Sequence, residues 1–134
     1  MTVQRSVAVR NASLDSFETT VGIDPFLDLR TLAPPANCAA ADTGVEIVHM
    51  QLPTDWLGAA AAGVKAKAGV WSGAGAAAGN VGHYRIKDTT DTTCHEQGTV
   101  TATGGGGDLE LDNINIANLQ VVTISTWTVT DGNA

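Results

Sequence analysis

Val64-Lys65-Ala66-Lys67-Ala68-Gly69-Val70-Trp71, and further on His83-Tyr84-Arg85-Ile86-Lys87 and Leu109-Glu110-Leu111, carry the reading of this chain. In each, apolar or small side chains alternate with polar ones, the two-residue period of a half-buried β-strand. Between residues 63 and 129 this pattern recurs, punctuated by turn signals about every 8 to 12 residues, a spacing typical of sandwiches and barrels. No helical pattern separates these strands, which excludes βαβ units there. Working outward, 26–32 and 45–52 read as earlier strands, 93–103 and 114–116 as later ones, and 120–130 as one long closing strand. A short helix is expected near 59–62. Gly104 to Gly107 interrupt any regular element, since glycine is tolerated poorly inside helices and strands.

Upstream lies one helix, over 5–21. Val7, Leu14, Phe17 and Val21 form its apolar stripe, Ser6 is placed to cap its start, and Gly22 to end it. The predicted fold is mainly β: an antiparallel β-sandwich, jelly-roll-like, with one N-terminal α-helix. It forms a single domain over 1–134, with an arm and helix in 1–22 and the sandwich in 23–134.

The composition is 43% apolar but only 4% aromatic, with alanine supplying much of the apolar share. Small side chains bury little area each, so a thin core completed by neighbours in an oligomer is one expectation. A formal charge of -7 opposes binding to phosphate backbones, so no nucleic-acid partner is expected. No apolar run is long enough to span a membrane, and residues 1–10 lack the apolar core of a secretory signal. Synthesis in a cytoplasm is the expectation, with no membrane partner.

Motifs for chemistry are sparse. The Gly73 to Gly79 stretch lacks the Lys and Ser/Thr of a phosphate loop. His49, His83, His95, Cys94 and Asp91 have no metal-ligand spacing, and adjacent Cys94 and His95 point to opposite faces of a strand. No catalytic residue, metal or cofactor is assigned. Asp108, Glu110 and Asp112 share one strand face and read as a wet, acidic row. Lys65, Lys67, Arg85 and Lys87 would form a basic stripe if their strands were neighbours, with His83, Arg85 and Lys87 pointing outward. Cys38 and Cys94 are either a disulfide closing a long loop or two free thiols. Trp71 falls on the polar side of its strand, as a core or rim residue or a subunit contact.

Four segments carry a resemblance: Arg10 to Val21, Ala33 to Gly44, Thr92 to Asp108, and Val129 to Ala134. Together they resemble small proteins of tailed-phage and prophage genomes. The resemblance implies a virion structural protein, in particular a capsid cement (decoration) protein with a jelly-roll fold. It would be a homotrimer on the capsid exterior, with the major capsid protein as partner. Thr2, Val3, Arg5, Arg10 and Trp71 are then the candidate interface, and oxidation of Cys38 and Cys94 would be permitted outside the cell. A tail, neck or fibre-associated virion protein is the alternative, followed by a glycan-binding or hydrolytic sandwich dependent on Trp71 or Asp108.

Overall fold

A computed structural model describes residues 3–132. The helix α1 (Val7–Val21) is followed by β1 (Phe26–Arg30), β2 (Glu46–Gln51), β3 (Val64–Ala66), β4 (Trp71–Ala74), β5 (Gly79–Asn80) and β6 (His83–Lys87). Then come β7 (Cys94–Ala102), β8 (Leu109–Leu111), β9 (Asn115–Ile116), β10 (Val121–Ile124) and β11 (Thr128–Thr130). Helix α1 starts and stops where its caps dictate. The Ser6 hydroxyl accepts from the Val9 N–H at 3.2 Å, and Gly22, at φ +89°, donates its N–H to the Glu18 carbonyl.

One layer is a five-stranded sheet in the order β2-β1-β6-β7-β8. The facing layer is divided among the ribbons β4/β10, β3/β11 and β5/β9, giving a mainly β, sandwich-like fold with one N-terminal helix. The 120–130 stretch is therefore two strands, β10 and β11, which pair with β4 and β3 in separate ribbons. Residues 59–62 form no helix; Ala61 instead bridges to Val64 across a turn. Three of the four neighbour pairs in this sheet are antiparallel; at the edge β8 runs parallel to β7, with Val100 opposite Leu109. A parallel return normally needs a dozen or more residues. Here residues 103–108 suffice because Gly104 and Gly106 adopt φ near +87° and +82° and Gly107 packs against the Thr101 backbone.

The core lies between the layers. Leu27, Leu29, Val48, Met50 and Ile86 of the sheet meet Trp56, Trp71, Val122, Ile124 and Trp127. Five of the six aromatic side chains form one spine. Phe17 meets Trp56 at 5.9 Å between centroids, Trp56 meets Trp71 at 6.0 Å, Trp71 meets Trp127 at 5.5 Å, and Trp127 meets Tyr84 at 6.4 Å. The indole N–H groups of Trp56 and Trp71 donate to the carbonyls of Gly22 and Ala68. Few aromatics thus give a filled interior because they are stacked end to end rather than scattered.

Two expectations about faces are corrected. Trp71 is 1% exposed and sits mid-spine, so it offers nothing to a partner. On β6 all five residues are buried: Tyr84 and Ile86 point to the core, while His83, Arg85 and Lys87 lie on the other face beneath the 31–45 segment. The sheet is covered on both sides, by ribbons and by this cap.

Candidate functional site

The most chemically dense region is the sheet face under the cap. Asp28 on β1 lies opposite His49 on β2 and Arg85 on β6. A register shift in β2 pairs Arg30 with Glu46, so Ile47 is an extra residue and the alternation changes phase. Ile47 and Val48 are both buried as a result, and Glu46 joins His49 on the charged face instead of opposing it. The His49 Nδ1 is 2.5 Å from Asp28 Oδ1 and 3.2 Å from Glu46 Oε1, and its Nε2 is 3.5 Å from Asp91 Oδ2. The ring stacks on Phe26 at 4.5 Å.

Cations of the sheet then hold the cap down. Arg85 donates to the carbonyls of Cys38 and Ala40 and to Asp42 at 2.6 Å. Lys87 donates to Asp42 at 2.7 Å and lies 3.3 Å from Asp28. Arg30 donates to the carbonyls of Thr43 and Gly44. A cavity of about 240 Å³ remains between the cap and β6–β7, lined by Cys38, Asp42, Arg85, Lys87 and Cys94 among others.

Charge sets the protonation of these groups. Burial works against the charged form of His49, but the carboxylates of Asp28, Asp91 and Glu46 outweigh it and raise its pKa. Burial and the neighbouring Asp28 raise Glu46. Asp42 is held below the usual carboxylate range, its partial burial overcome by Lys87 and Arg85. Four carboxylates (Asp28, Asp42, Glu46, Asp91) meet three permanent cations (Arg30, Arg85, Lys87), and a protonated His49 completes the balance.

The atoms of Asp28, Glu46 and His49 that could ligate a metal lie within 4.8 Å of one another. Lys87 already neutralises Asp28 from its other side, which makes the arrangement an ion-pair network first. Asp28 and Glu46 escape a sequence reading because Asp28 reaches His49 by cross-strand register and Glu46 by the bulge at Ile47. His83 is separate, its Nδ1 2.9 Å from the Leu32 carbonyl.

The two cysteines meet beside the network. Their sulfurs, 56 positions apart in sequence, are 2.9 Å apart, one in the cap and one on β7. Both are thiols here. Burial, reinforced by Cys38, pushes the Cys94 thiol up to about 11, although Arg85 pulls the other way. A thiol so protonated is a poor nucleophile at neutral pH, so this pair suits slow oxidation better than catalysis.

The remaining sequence candidates lie elsewhere. Thr2 is outside the described residues. Val3 is 79% exposed, and Val7 and Val9 on the first turn of α1 are each about half exposed. Arg5 pairs with Asp131 at 3.6 Å, and Arg10 donates to the Asp131 carbonyl at 2.7 Å while covering Gly63. Arg10 is therefore an anchor for the helix rather than a group presented to a partner. The basic stripe does not form: Lys65, on β3, is bound by Asp15 and Glu18 of α1, whereas Arg85 and Lys87 belong to another sheet. Of the acidic row, Asp108 accepts from the Thr99 N–H and hydroxyl, and Glu110 accepts from the Gly104 N–H, so both fasten the glycine loop.

Among the described residues no helix is long and apolar enough to cross a membrane. No protein-family model, no curated protein and no solved structure matches the chain.

Proposed function

We propose that this chain is a structural protein of a tailed-phage virion, a cement protein on the capsid exterior that contacts the major capsid protein and associates as a homotrimer. The observation that supports this reading is the start of α1. Val3, just before it, and Val7 and Val9 in its first turn are exposed, while the segment is fastened to the body by Arg5 and Arg10 to Asp131, by Asn11 to the Gly63 N–H, and by Lys65 to Asp15 and Glu18. An exposed apolar strip on a firmly fastened helix is suited to docking on a neighbour, and repetition over many copies multiplies a weak contact. The charges of the face under the cap, by contrast, pair with one another within the chain.

The test is copy number. Purified particles should carry the chain in numbers comparable with the major capsid protein, and the isolated chain should scatter light as a trimer. A few copies per particle would favour a tail, neck or fibre location. Absence from particles would overturn the proposal.

A further inference from the structure

Strand β7 carries an anomaly on its core-facing side. Glu96 is paired with Ile86 and Gly98 with Tyr84, so both lie on the face that Ile86 and Tyr84 turn to the core. A carboxyl and a missing side chain thus occupy positions where apolar groups would stabilise the sandwich. One Glu96 oxygen, Oε2, is buried without a hydrogen-bond partner. Leaving such an acceptor unpaired is costly, and a leucine of similar size would avoid the cost.

The space beside Glu96 is open. A cleft of about 290 Å³ is lined by Tyr84, Glu96, Asp108, Trp127 and Thr128, and it adjoins a second hollow past Asp108 that Glu110 also lines. Gly98 lets Tyr84 and Asp108 approach each other beside it: a Cβ there would come within 2.8 Å of the Tyr84 ring and 2.9 Å of the Asp108 side chain. Among the described residues, no lysine or arginine lines either hollow. Elsewhere Asp28, Asp42 and Glu18 are answered by Lys87, Arg85 and Lys65; here the half-buried Glu96 and the exposed Asp108, which is held by Thr99, line an unfilled space with Tyr84 and Trp127 and have no cation beside them.

We propose that this cleft is a receptor for a guanidinium group, with Glu96 and Asp108 as its two carboxylate contacts and Tyr84 and Trp127 as its walls. A guanidinium is flat, weakly hydrated, and able to fork to carboxylates while lying against aromatic rings. A bare metal ion would use the carboxylates but gain little from the rings. The inference is independent of the virion reading.

The test is a titration of the ¹⁵N-labelled chain with N-acetyl-arginine amide, and separately with N-acetyl-lysine amide, calcium chloride and a chito-oligosaccharide. The arginine probe should give saturable shifts centred on Glu96, Gly98, Asp108 and Thr128. Its affinity should exceed that of the lysine probe at least fivefold. Glu96→Gln should lose at least tenfold in affinity while remaining folded, and Asp108→Asn, which keeps an oxygen for Thr99, should weaken binding independently. An arginine-containing peptide that binds more tightly than the free probe points to a partner's side chain as the source; equal affinity points to a free small molecule. Absence of saturable shifts, unchanged affinity in both variants, or tighter binding of calcium or the oligosaccharide would overturn the proposal.

Discussion

Glu96 and His49 are placed where the two sides of folding disagree about a proton. Burial, with Asp108 adding to it, raises the Glu96 carboxyl to about 7 from an ordinary 4.5. Between those values the folded chain keeps a proton that the unfolded chain has released, so stability from this group falls as pH rises from 4.5 to 7 and levels off above. The span corresponds to a loss on the order of 3 kcal/mol. His49, also raised, contributes stability that is complete below its ordinary 6.5 and is lost as pH climbs through its folded value. Both effects have the same sign, so the urea midpoint should be lower at pH 8 than at pH 5. Glu96→Gln should flatten the part of that slope due to Glu96 and leave the part due to His49. Arg85, 2% exposed, is the converse case, a buried charge met by the Asp42 carboxylate and two cap carbonyls through its two terminal nitrogens, although its Nε has no partner. Arg85→Met removes its bonds to Asp42 and to two cap carbonyls, and should cost about 3–5 kcal/mol in thermal unfolding. The alternation of His83, Arg85 and Lys87 was legible as a separate face of β6, but its burial was not. That depends on the cap folding back across 40 or so residues of sequence, an event that leaves no periodic trace.

At the level of elements, local chemistry was the legible part. Ser6 and Gly22 delimit α1 as their side-chain and backbone preferences require. What local pattern could not supply was phase and direction. The extra residue at Ile47 puts Glu46 beside His49, against simple alternation. The four glycines, legible as a break, in fact turn β8 parallel to β7. Gly107→Ala would press a methyl to about 2.8 Å from the Thr101 amide nitrogen, a contact that the backbone must move to relieve. It should destabilise the chain by roughly 1–3 kcal/mol, measured by urea unfolding, whereas alanine at Gly132, which has open space, should change little. The cap offers a second test. Joining Cys38 to Cys94 would close a loop spanning 56 positions, and chain-entropy reasoning gives about 4 kcal/mol of stabilisation. Oxidised glutathione should shift the mass by two hydrogens and raise the unfolding midpoint, and Cys38→Ser should abolish both changes.

For the whole molecule, the class of architecture was legible because strand period and turn spacing recur along most of the chain. The location of the core was less so, since Trp56, Trp71 and Trp127 come from segments of different character and meet only in three dimensions. Their spine fills the space between the layers, and the exposed apolar groups are spread over the surface, with Val3, Val7 and Val9 clustered at the beginning of α1 and Ile23, Leu32, Val45, Val70, Leu119 and Val121 elsewhere. Replacing Val3, Val7 and Val9 together by serine should change thermal stability by about 0.5 kcal/mol or less, and should abolish self-association in light scattering together with incorporation into particles. One further consequence follows from the tie between Arg5, Arg10 and Asp131. The first and last described stretches leave the body at the same pole, so a short glycine-serine bridge there would make the polypeptide circular. Reopening it in the 88–92 turn would then yield a permuted chain with the same layers.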